Sequence, residues 1–196
     1  MGKAAQTRKH ILEEAFNMVY QNGYQATSVD KIIEQTQVTK GAFYYHFKNK
    51  DEMGIAIIRE VILPRLSQGL LEPMKYSDNP INGIYSAIEA KILNDEPYYV
   101  ENGCPTNNLV QEMSAVNSKF YQTLRQVLDT WIQTIQQSLE LGQQQGQVRT
   151  DIDARDVAEF IVSGYEGIKG IGKIYGKKVY RSYLAQLQVY LRTLRE

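Results

Sequence analysis

Hydrogen-bond donors and aromatic rings are concentrated in one stretch of the chain, residues 39–52, which reads TKGAFYYHFKNKDE. The stretch holds Lys40, Lys48 and Lys50, two adjacent tyrosines and one of the two histidines of the protein. Tyrosine hydroxyls and lysine ammonium groups donate hydrogen bonds readily to phosphate oxygens. These residue types therefore favour contact with a polyanion that carries phosphates.

A helix would separate these side chains into two faces. Residues advance about 100° each on an α-helix, so Phe43 and Phe47 lie roughly 40° apart. The opposite face, at roughly 100° to 200° from Phe43, holds Gly41, Tyr44, Tyr45 and Lys48. We expect the phenylalanines to anchor the helix to a small core and the tyrosines to face outward. The missing side chain at position 41 would let the helix come close to a groove.

The flanking sequence predicts the elements that position this helix. Thr39 can cap its first turn, and Thr27-Ser28 can cap a preceding short helix, residues 29–35. An apolar stripe over residues 11–19 predicts a first helix that ends at Asn22-Gly23. Two short helices joined by a tight turn predict a helix-turn-helix, whose second helix enters the major groove of DNA.

The rest of the chain also has helical patterns, and no sustained alternation typical of strands occurs. Asn49 with Glu52 forms a capping-box pattern that opens a fourth helix. Later helices are predicted over about 81–93, from Pro105, and over about 118–145, 154–175 and 179–194. The sequence therefore predicts an all-α fold of about nine helices.

Composition and charge narrow the class of protein. Hydrophobic residues make up 43% and charged residues 22% of the 196 residues, as in ordinary globular proteins. Residues 1–50 carry a net charge of +3 and residues 51–196 carry −3, which fits a polyanion contact by the first part only. Scattered solvated lysines would give the same count.

Several classes of protein are disfavoured. No apolar run approaches the roughly 18 residues of a membrane span, and the N-terminus lacks the apolar core of a signal peptide. We therefore expect a cytoplasmic protein without membrane contact. The single cysteine excludes an internal disulfide, and two distant histidines argue against a His/Cys metal site, so we expect no metal and no cofactor.

Residues 7–53 resemble the N-terminal DNA-binding domain of the TetR family of transcriptional regulators. The matching motifs are GYQATSV at 23–29 and VTKGAFYYHFKNK at 38–50. The resemblance implies a homodimer that reads a pseudo-palindromic operator, an inverted repeat in double-stranded DNA. It implies a helix-turn-helix domain over residues 1–50 and a larger helical domain for ligand binding and dimerisation over residues 51–196. The function it implies is a ligand-responsive repressor that a small molecule releases from DNA.

The roles of the family carry over onto the matching positions of this sequence. Contacts to bases and backbone are implied for Thr39, Lys40, Gly41, Tyr44, Tyr45 and His46. Phosphate contacts are implied for Thr27, Ser28 and Lys50, aided by the N–H groups at helix N-termini. His46 could instead pack against the end of its helix, and Lys48 fits a solvated side chain.

The C-terminal part contains one informative segment, ENGCPTNNLVQEMS at 101–114. If Pro105 starts a helix, Cys104 is its N-cap, where free N–H groups favour the thiolate. The pattern is similar to a TetR subgroup whose cysteine senses electrophiles or oxidants. A free cysteine is more often a small buried hydrophobe, and we favour that interpretation here.

A largely apolar pocket for a small-molecule effector is predicted between residues 84 and 131. Its candidate lining residues are Tyr85, Ile88, Glu89, Ile92, Tyr98, Cys104, Leu109, Met113, Phe120, Leu124 and Trp131. Aromatic residues at helical spacing more often occupy a core, so core positions remain the alternative.

Glycines recur in SGYEGIKGIGKIYGKK, residues 163–178, where they would let another helix approach closely. Gly170 and Gly172 have the spacing of a dinucleotide-binding loop, but no strand precedes them. In the TetR family the last two helices form the dimer interface. The positions predicted there are Gly164, Ile168, Ile171, Tyr175, Tyr183, Leu187, Tyr190 and Leu191.

Two other classes of function are alternatives to a regulator. An all-helical enzyme with Cys104 as nucleophile would need a base, yet both histidines belong to the N-terminal part. A helical adaptor that no longer reads DNA would be expected to lose Tyr44, Lys50 or residues 39–41, and all are present.

Overall fold

The computed structural model describes residues 2–94 and 99–196, and within them the chain forms nine α-helices and no strand. The helices are α1 (Lys3–Asn22), α2 (Val29–Thr36), α3 (Lys40–His46), α4 (50–75), α5 (Pro80–Leu93), α6 (Pro105–Met113), α7 (Ser118–Gln144), α8 (Ala154–Tyr175) and α9 (Lys178–Arg192). A short 3-10 turn, Val100–Asn102, precedes α6. The predicted all-α fold of about nine helices is confirmed.

The chain divides into two compact units. The first unit contains the described residues up to Pro64 together with Pro105–Arg125. The second contains the described residues from Arg65 to Cys104 together with Gln126–Glu196. The predicted functional division between residues 1–50 and 51–196 stays a prediction.

The first three helix-capping residues that the sequence predicts all act as caps. The Ser28 side chain accepts the Lys31 N–H at 3.2 Å, and the Thr39 side chain accepts the Ala42 N–H at 3.1 Å. Asn49 accepts the N–H of Glu52 at 2.8 Å. Each cap satisfies an N–H group that has no partner inside its helix, so α2, α3 and α4 begin where the sequence predicts.

Helix α4 contains two π-helical turns, Ile58–Ile62 and Ser67–Leu71, which the sequence analysis did not predict. Each π-helical turn ends two residues before a proline, Pro64 or Pro73. A proline lacks an N–H and its ring crowds the carbonyl one turn earlier, and a widened turn relieves that crowding. The helix therefore continues through Pro73.

The second unit has a closely packed core. The Trp131 ring packs edge-on against Tyr165, with ring centroids 4.9 Å apart. A Cβ atom at Gly172 would lie 2.5 Å from the Tyr180 ring, so this glycine allows α9 to approach α8 closely.

Among the described residues, no helix combines the length and apolar character that crossing a bilayer needs.

Candidate nucleic-acid interface

Helix α3 has the two faces that its sequence predicts. Phe43 and Phe47 are buried, with 0% and 1% of their surface exposed. Tyr44 and Tyr45 keep 45% and 77% of their surface exposed. The phenylalanine rings, 5.7 Å apart, fix the helix to the core of the first unit and leave both tyrosine rings available to a partner.

The start of α3 is open to solvent. The Lys40 ammonium lies 3.6 Å from the Asp30 carboxylate of α2, and both side chains remain largely exposed. A Cβ atom at Gly41 would meet no other atom within 4 Å, so the fold itself does not require glycine there. The open surface is consistent with a close approach by a ligand at this position.

His46 takes part in packing at the end of α3. Its ring lies edge-on to Tyr45, with centroids 4.9 Å apart, and the residue is half-buried. Its carbonyl accepts a hydrogen bond from Arg8 of α1 at 3.0 Å. The guanidinium of Arg8 also lies 4.4 Å from the Phe47 ring centre and pairs with Glu60. Arg8 thus ties α1, α3 and α4 together, a role that sequence reasoning missed.

Lys50, the first residue of α4, lies beside the turn between α1 and α2. Its ammonium donates to the Gln25 carbonyl at 3.3 Å and lies 4.3 Å above the Tyr24 ring. Burial lowers the pKa of Lys50, while the carboxylates of Glu112 and Asp51 act in the opposite direction. The side chain is therefore held in a defined place at the N-terminus of α4.

Thr27 and Ser28 are placed differently from each other. Ser28 is exposed at the N-terminus of α2. Thr27 is buried, and its hydroxyl donates to the Gly23 carbonyl at 2.8 Å. The predicted phosphate contact by the Thr27 side chain therefore has no support in this geometry, and we leave this residue out of the contacts proposed below.

Most of the predicted pocket residues occupy core positions. The buried ones are Ile88, Ile92, Cys104 and Trp131 in the second unit and Leu109, Met113, Phe120 and Leu124 in the first. Half-buried Tyr85 donates its hydroxyl to Glu89 at 2.8 Å, and the predicted position Tyr98 lies outside the described residues. Leu109 also borders a cavity of about 10 Å³, room for about one water molecule. The effector pocket stays a prediction.

Cys104 is buried immediately before α6, which begins at Pro105 as predicted. Its thiol donates a hydrogen bond to Oε1 of Glu166, 3.2 Å away. Oε2 of Glu166 is buried and has no hydrogen-bond partner among the residues that the structure describes. Burial raises the pKa of Glu166 to about 7, against the lowering effects of Cys104 and Lys169. Sequence reasoning missed Glu166 because 62 residues separate the two partners.

We expect Cys104 to react slowly with iodoacetamide at neutral pH. Its side chain is buried, so the reagent has little access to it, and its S–H group is engaged in a hydrogen bond to Glu166. Intact-mass spectrometry should show modification at least about tenfold slower in the folded protein than in urea. Equal rates in both conditions would show that the native thiol is accessible and reactive.

The predicted dimer-interface positions fall into two groups. Ile171 and Tyr175 are exposed, and Gly164, Ile168, Tyr183 and Tyr190 are half-buried. Leu187 and Leu191, in contrast, are buried within their own chain. The predicted dimer interface stays a prediction. The exposed apolar side chains on α8 and α9 that sequence reasoning missed are Phe160, Ile174 and Val189.

Comparison with known proteins identifies the class. Residues 11–57 match the model of bacterial regulatory proteins of the tetR family, and residues 84–187 match the tetracyclin repressor-like C-terminal domain. An uncharacterized HTH-type transcriptional regulator in the lacX 3' region of Lactococcus lactis is 31% identical over 68% of each chain. The HTH-type transcriptional repressor DhaR of Mycobacterium sp. strain GP1 is 23% identical over 82% of this chain and 79% of that protein. The chain belongs to the TetR family of transcriptional regulators.

A solved structure agrees at the level of the fold. The TetR-family regulator from Cytophaga hutchinsonii superposes with a TM-score of 0.87 and 19% identity, over 100% of this chain and 98% of that one. TetR-family regulators bind operator DNA and small-molecule effectors, act as dimers and are not enzymes. The predicted ligand-responsive DNA-binding regulator is thereby confirmed, and neither the enzyme nor the adaptor alternative finds support.

Proposed function

We propose that this protein is a homodimeric repressor that binds an inverted repeat in DNA and is released by a small molecule. The observation that carries the proposal is the division of α3 into a buried phenylalanine face and an exposed tyrosine face. An exposed pair of tyrosines beside Lys40 suits hydrogen bonding to base edges and phosphates. Two such helices related by a dimer axis would enter major grooves about one helical turn apart.

The proposed DNA contacts are distributed over three helix N-termini and the exposed face of α3. Ser28, Thr39 and Lys50 stand at the starts of α2, α3 and α4, where free N–H groups and the helix dipole favour phosphates. The contacts on α3 itself are assigned to Lys40, Gly41, Tyr44, Tyr45 and His46. The phosphate contacts would set the register in which α3 reads the bases.

The proposed dimer surface is on α8 and α9. Ile171, Ile174 and Tyr175 are exposed on α8, and Val189 is exposed on α9. Large exposed apolar patches mark surfaces that a partner covers, and a second copy of the chain is the partner that the family implies. The effector is proposed to be largely apolar and to favour a dimer conformation in which the reading helices no longer match the half-sites. Since its proposed target is operator DNA, the protein would act in the cytoplasm.

A selection from genomic fragments tests the proposal directly. Purified protein is incubated with sheared genomic DNA at a stated salt concentration near physiological, and the retained fragments are sequenced. Recovery of a short inverted repeat is the expected result. Retention that is independent of sequence and lost on adding salt would argue against specific reading.

Alanine at Tyr44 or Lys50 is expected to weaken binding to the recovered repeat by about tenfold each. Tyr44 is exposed on the reading face, and its loss removes a hydroxyl donor and a ring from that face. The loss of Lys50 should also reduce the salt dependence of binding by about one counterion. Fluorescence-anisotropy titrations over a range of salt concentrations measure both effects.

A matched control is Tyr121→Ala in α7, because this tyrosine is 49% exposed and lies outside α3. It should leave the affinity for the repeat unchanged. Equal weakening by the variants at positions 44 and 121 would refute the assignment of the contact to α3.

A further inference from the structure

The turn between α1 and α2 is bound to a carboxylate from a distant part of the chain. Glu112, near the end of α6, accepts the Tyr24 N–H at 2.8 Å through Oε2. Its Oε1 accepts the Gln25 N–H at 2.6 Å. Gly23 has a φ of 89°, and a Cβ atom there would lie 3.4 Å from Oε2. The turn therefore presents two successive N–H groups to one anion. Glycine suits position 23 because of its positive φ, since a Cβ atom there would be in ordinary contact with the carboxylate.

This arrangement is a small anion site that the chain fills itself. Successive backbone N–H groups that converge on one point form concavities that bind anions. Hydrogen bonds to an ionised carboxylate are about twice as strong as neutral ones. The Lys50 ammonium donates a hydrogen bond to the Gln25 carbonyl of the same turn. The turn is thus held by an anion on its N–H groups and by a cation on a carbonyl.

The segment 105–125 also contacts Tyr24 directly through Phe120 and indirectly through Asp51. The hydroxyl of this buried tyrosine donates to Asp51 at 2.6 Å, and Asn117 donates to the other Asp51 oxygen at 2.9 Å. The Phe120 ring packs edge-on against the Tyr24 ring, with centroids 4.9 Å apart. Burial raises the pKa of Tyr24, so its hydroxyl remains a donor at neutral pH. Glu112 is therefore part of a network that fixes both the backbone and the side chain of residue 24.

We propose that Glu112 is a positioning residue for DNA recognition, a role that rests on the proposed function. Its carboxylate fixes residues 23–25, and Ser28, the N-cap of α2, follows three residues later. The direction in which α2 leaves this turn sets where α3 is presented to the groove. Glu112 itself touches no DNA; it acts through the turn, so its loss should impair specific reading more than general attraction to DNA.

The test compares Glu112→Gln with Glu34→Gln. Glutamine at 112 keeps the size but loses the charge and one acceptor oxygen. Glutamine at the exposed position 34 of α2 removes the same charge from the same unit without touching the turn. Hydrogen exchange of the Tyr24 and Gln25 amides is measured by NMR on the full-length protein without DNA. The affinities for the recovered repeat and for a scrambled duplex are then measured at several salt concentrations.

For Glu112→Gln we expect exchange at amides 24 and 25 to become about tenfold faster or more. We expect the affinity for the repeat to fall about tenfold, with the affinity for the scrambled duplex and the salt dependence unchanged. Glu34→Gln should leave exchange at these amides unchanged. Amide exchange at Phe16 and Val19, in the middle of α1, reports whether the first unit is folded. If exchange at these two amides also accelerates in Glu112→Gln, the measurements are repeated with Glu112→Asp. Aspartate keeps the negative charge but has a shorter side chain.

Three results would overturn the inference. One is unchanged exchange at amides 24 and 25, which would mean that the carboxylate does not hold the turn. Another is binding to the repeat by Glu112→Gln at or above wild-type affinity. The third is an equal change in both glutamine variants, which would assign the effect to charge alone. A wild-type protein that binds the repeat and the scrambled duplex with equal affinity would contradict the proposed function, and the positioning role that rests on it. This outcome is distinguishable from the other three.

Discussion

Alanine in place of Phe43 is expected to lower the free energy of unfolding by about 3–5 kcal/mol. The ring has no exposed surface and packs against Phe47 and edge-on against Tyr44, so its removal leaves a cavity in a small core. Urea unfolding followed by circular dichroism measures the change. Binding to DNA should be lost with it, because α3 would no longer be anchored.

Tyr45→Ala is the matched control for this substitution. It removes an aromatic ring from the same helix, but from a side chain that is 77% exposed. Its effect on unfolding should stay within about 0.5 kcal/mol, as is usual for exposed positions. Comparable destabilisation by the two variants would mean that the assignment of buried and exposed faces is wrong.

The second large effect is expected at Glu166 as the pH rises. In the folded chain burial raises the pKa of this carboxyl from 4.5 to about 7, so the fold binds its proton more tightly than the unfolded chain does. The contribution of the protonated group is therefore fully present below pH 4.5 and is lost as the pH rises through about 7. Since a tenfold change in proton affinity corresponds to about 1.4 kcal/mol, the wild-type protein should lose about 3 kcal/mol relative to Glu166→Gln over this range.

Denaturation curves at pH 4.5, 6, 7 and 8 measure this difference through the fluorescence of Trp131, the single tryptophan, which belongs to the same unit as Glu166. Glu159→Gln is the control, because it neutralises an exposed carboxylate on the same helix. Its loss also removes an exposed ion pair with Arg155, so its stability should differ from that of the wild type by a small amount that stays the same between pH 6 and 8. A constant difference between wild type and Glu166→Gln would show that position 166 is not titrating in this range.

The local sequence pattern was sufficient to predict structural features that depend on residues close together in the sequence. The two faces of α3 follow from helical spacing, and the caps at Ser28, Thr39 and Asn49 follow from side chains that reach N–H groups three residues ahead. These interactions involve only one turn of chain. The same information is enough to recognise the helix-turn-helix.

Two kinds of feature could not be predicted in this way. One is a contact between residues far apart in the sequence, and the other is whether an apolar helix face packs in the chain's own core or against a partner chain. Tyr24 and Glu112 are 88 residues apart, and nothing near either of them indicates the other. Helical spacing places Leu187 and Leu191 on one apolar face of α9, but spacing does not say whether the chain's own core or a partner covers that face. A proline inside a helix usually interrupts it, and the sequence around Pro73 does not show that a widened turn can accommodate the ring.

The composition of the first unit has a practical meaning for protein engineering. A chimeric regulator made by grafting only residues 1–50 onto a foreign sensor would leave behind Glu112 and Phe120, which contact Tyr24. It would also leave behind Asp51, which accepts a hydrogen bond from the Tyr24 hydroxyl, and Asn117, which binds Asp51. In such a graft, the side chains of the recipient protein would take the places of these partners. Transferring the operator specificity of this protein therefore requires Asp51 and residues 105–125 together with the helix-turn-helix, or a recipient that already supplies equivalent side chains.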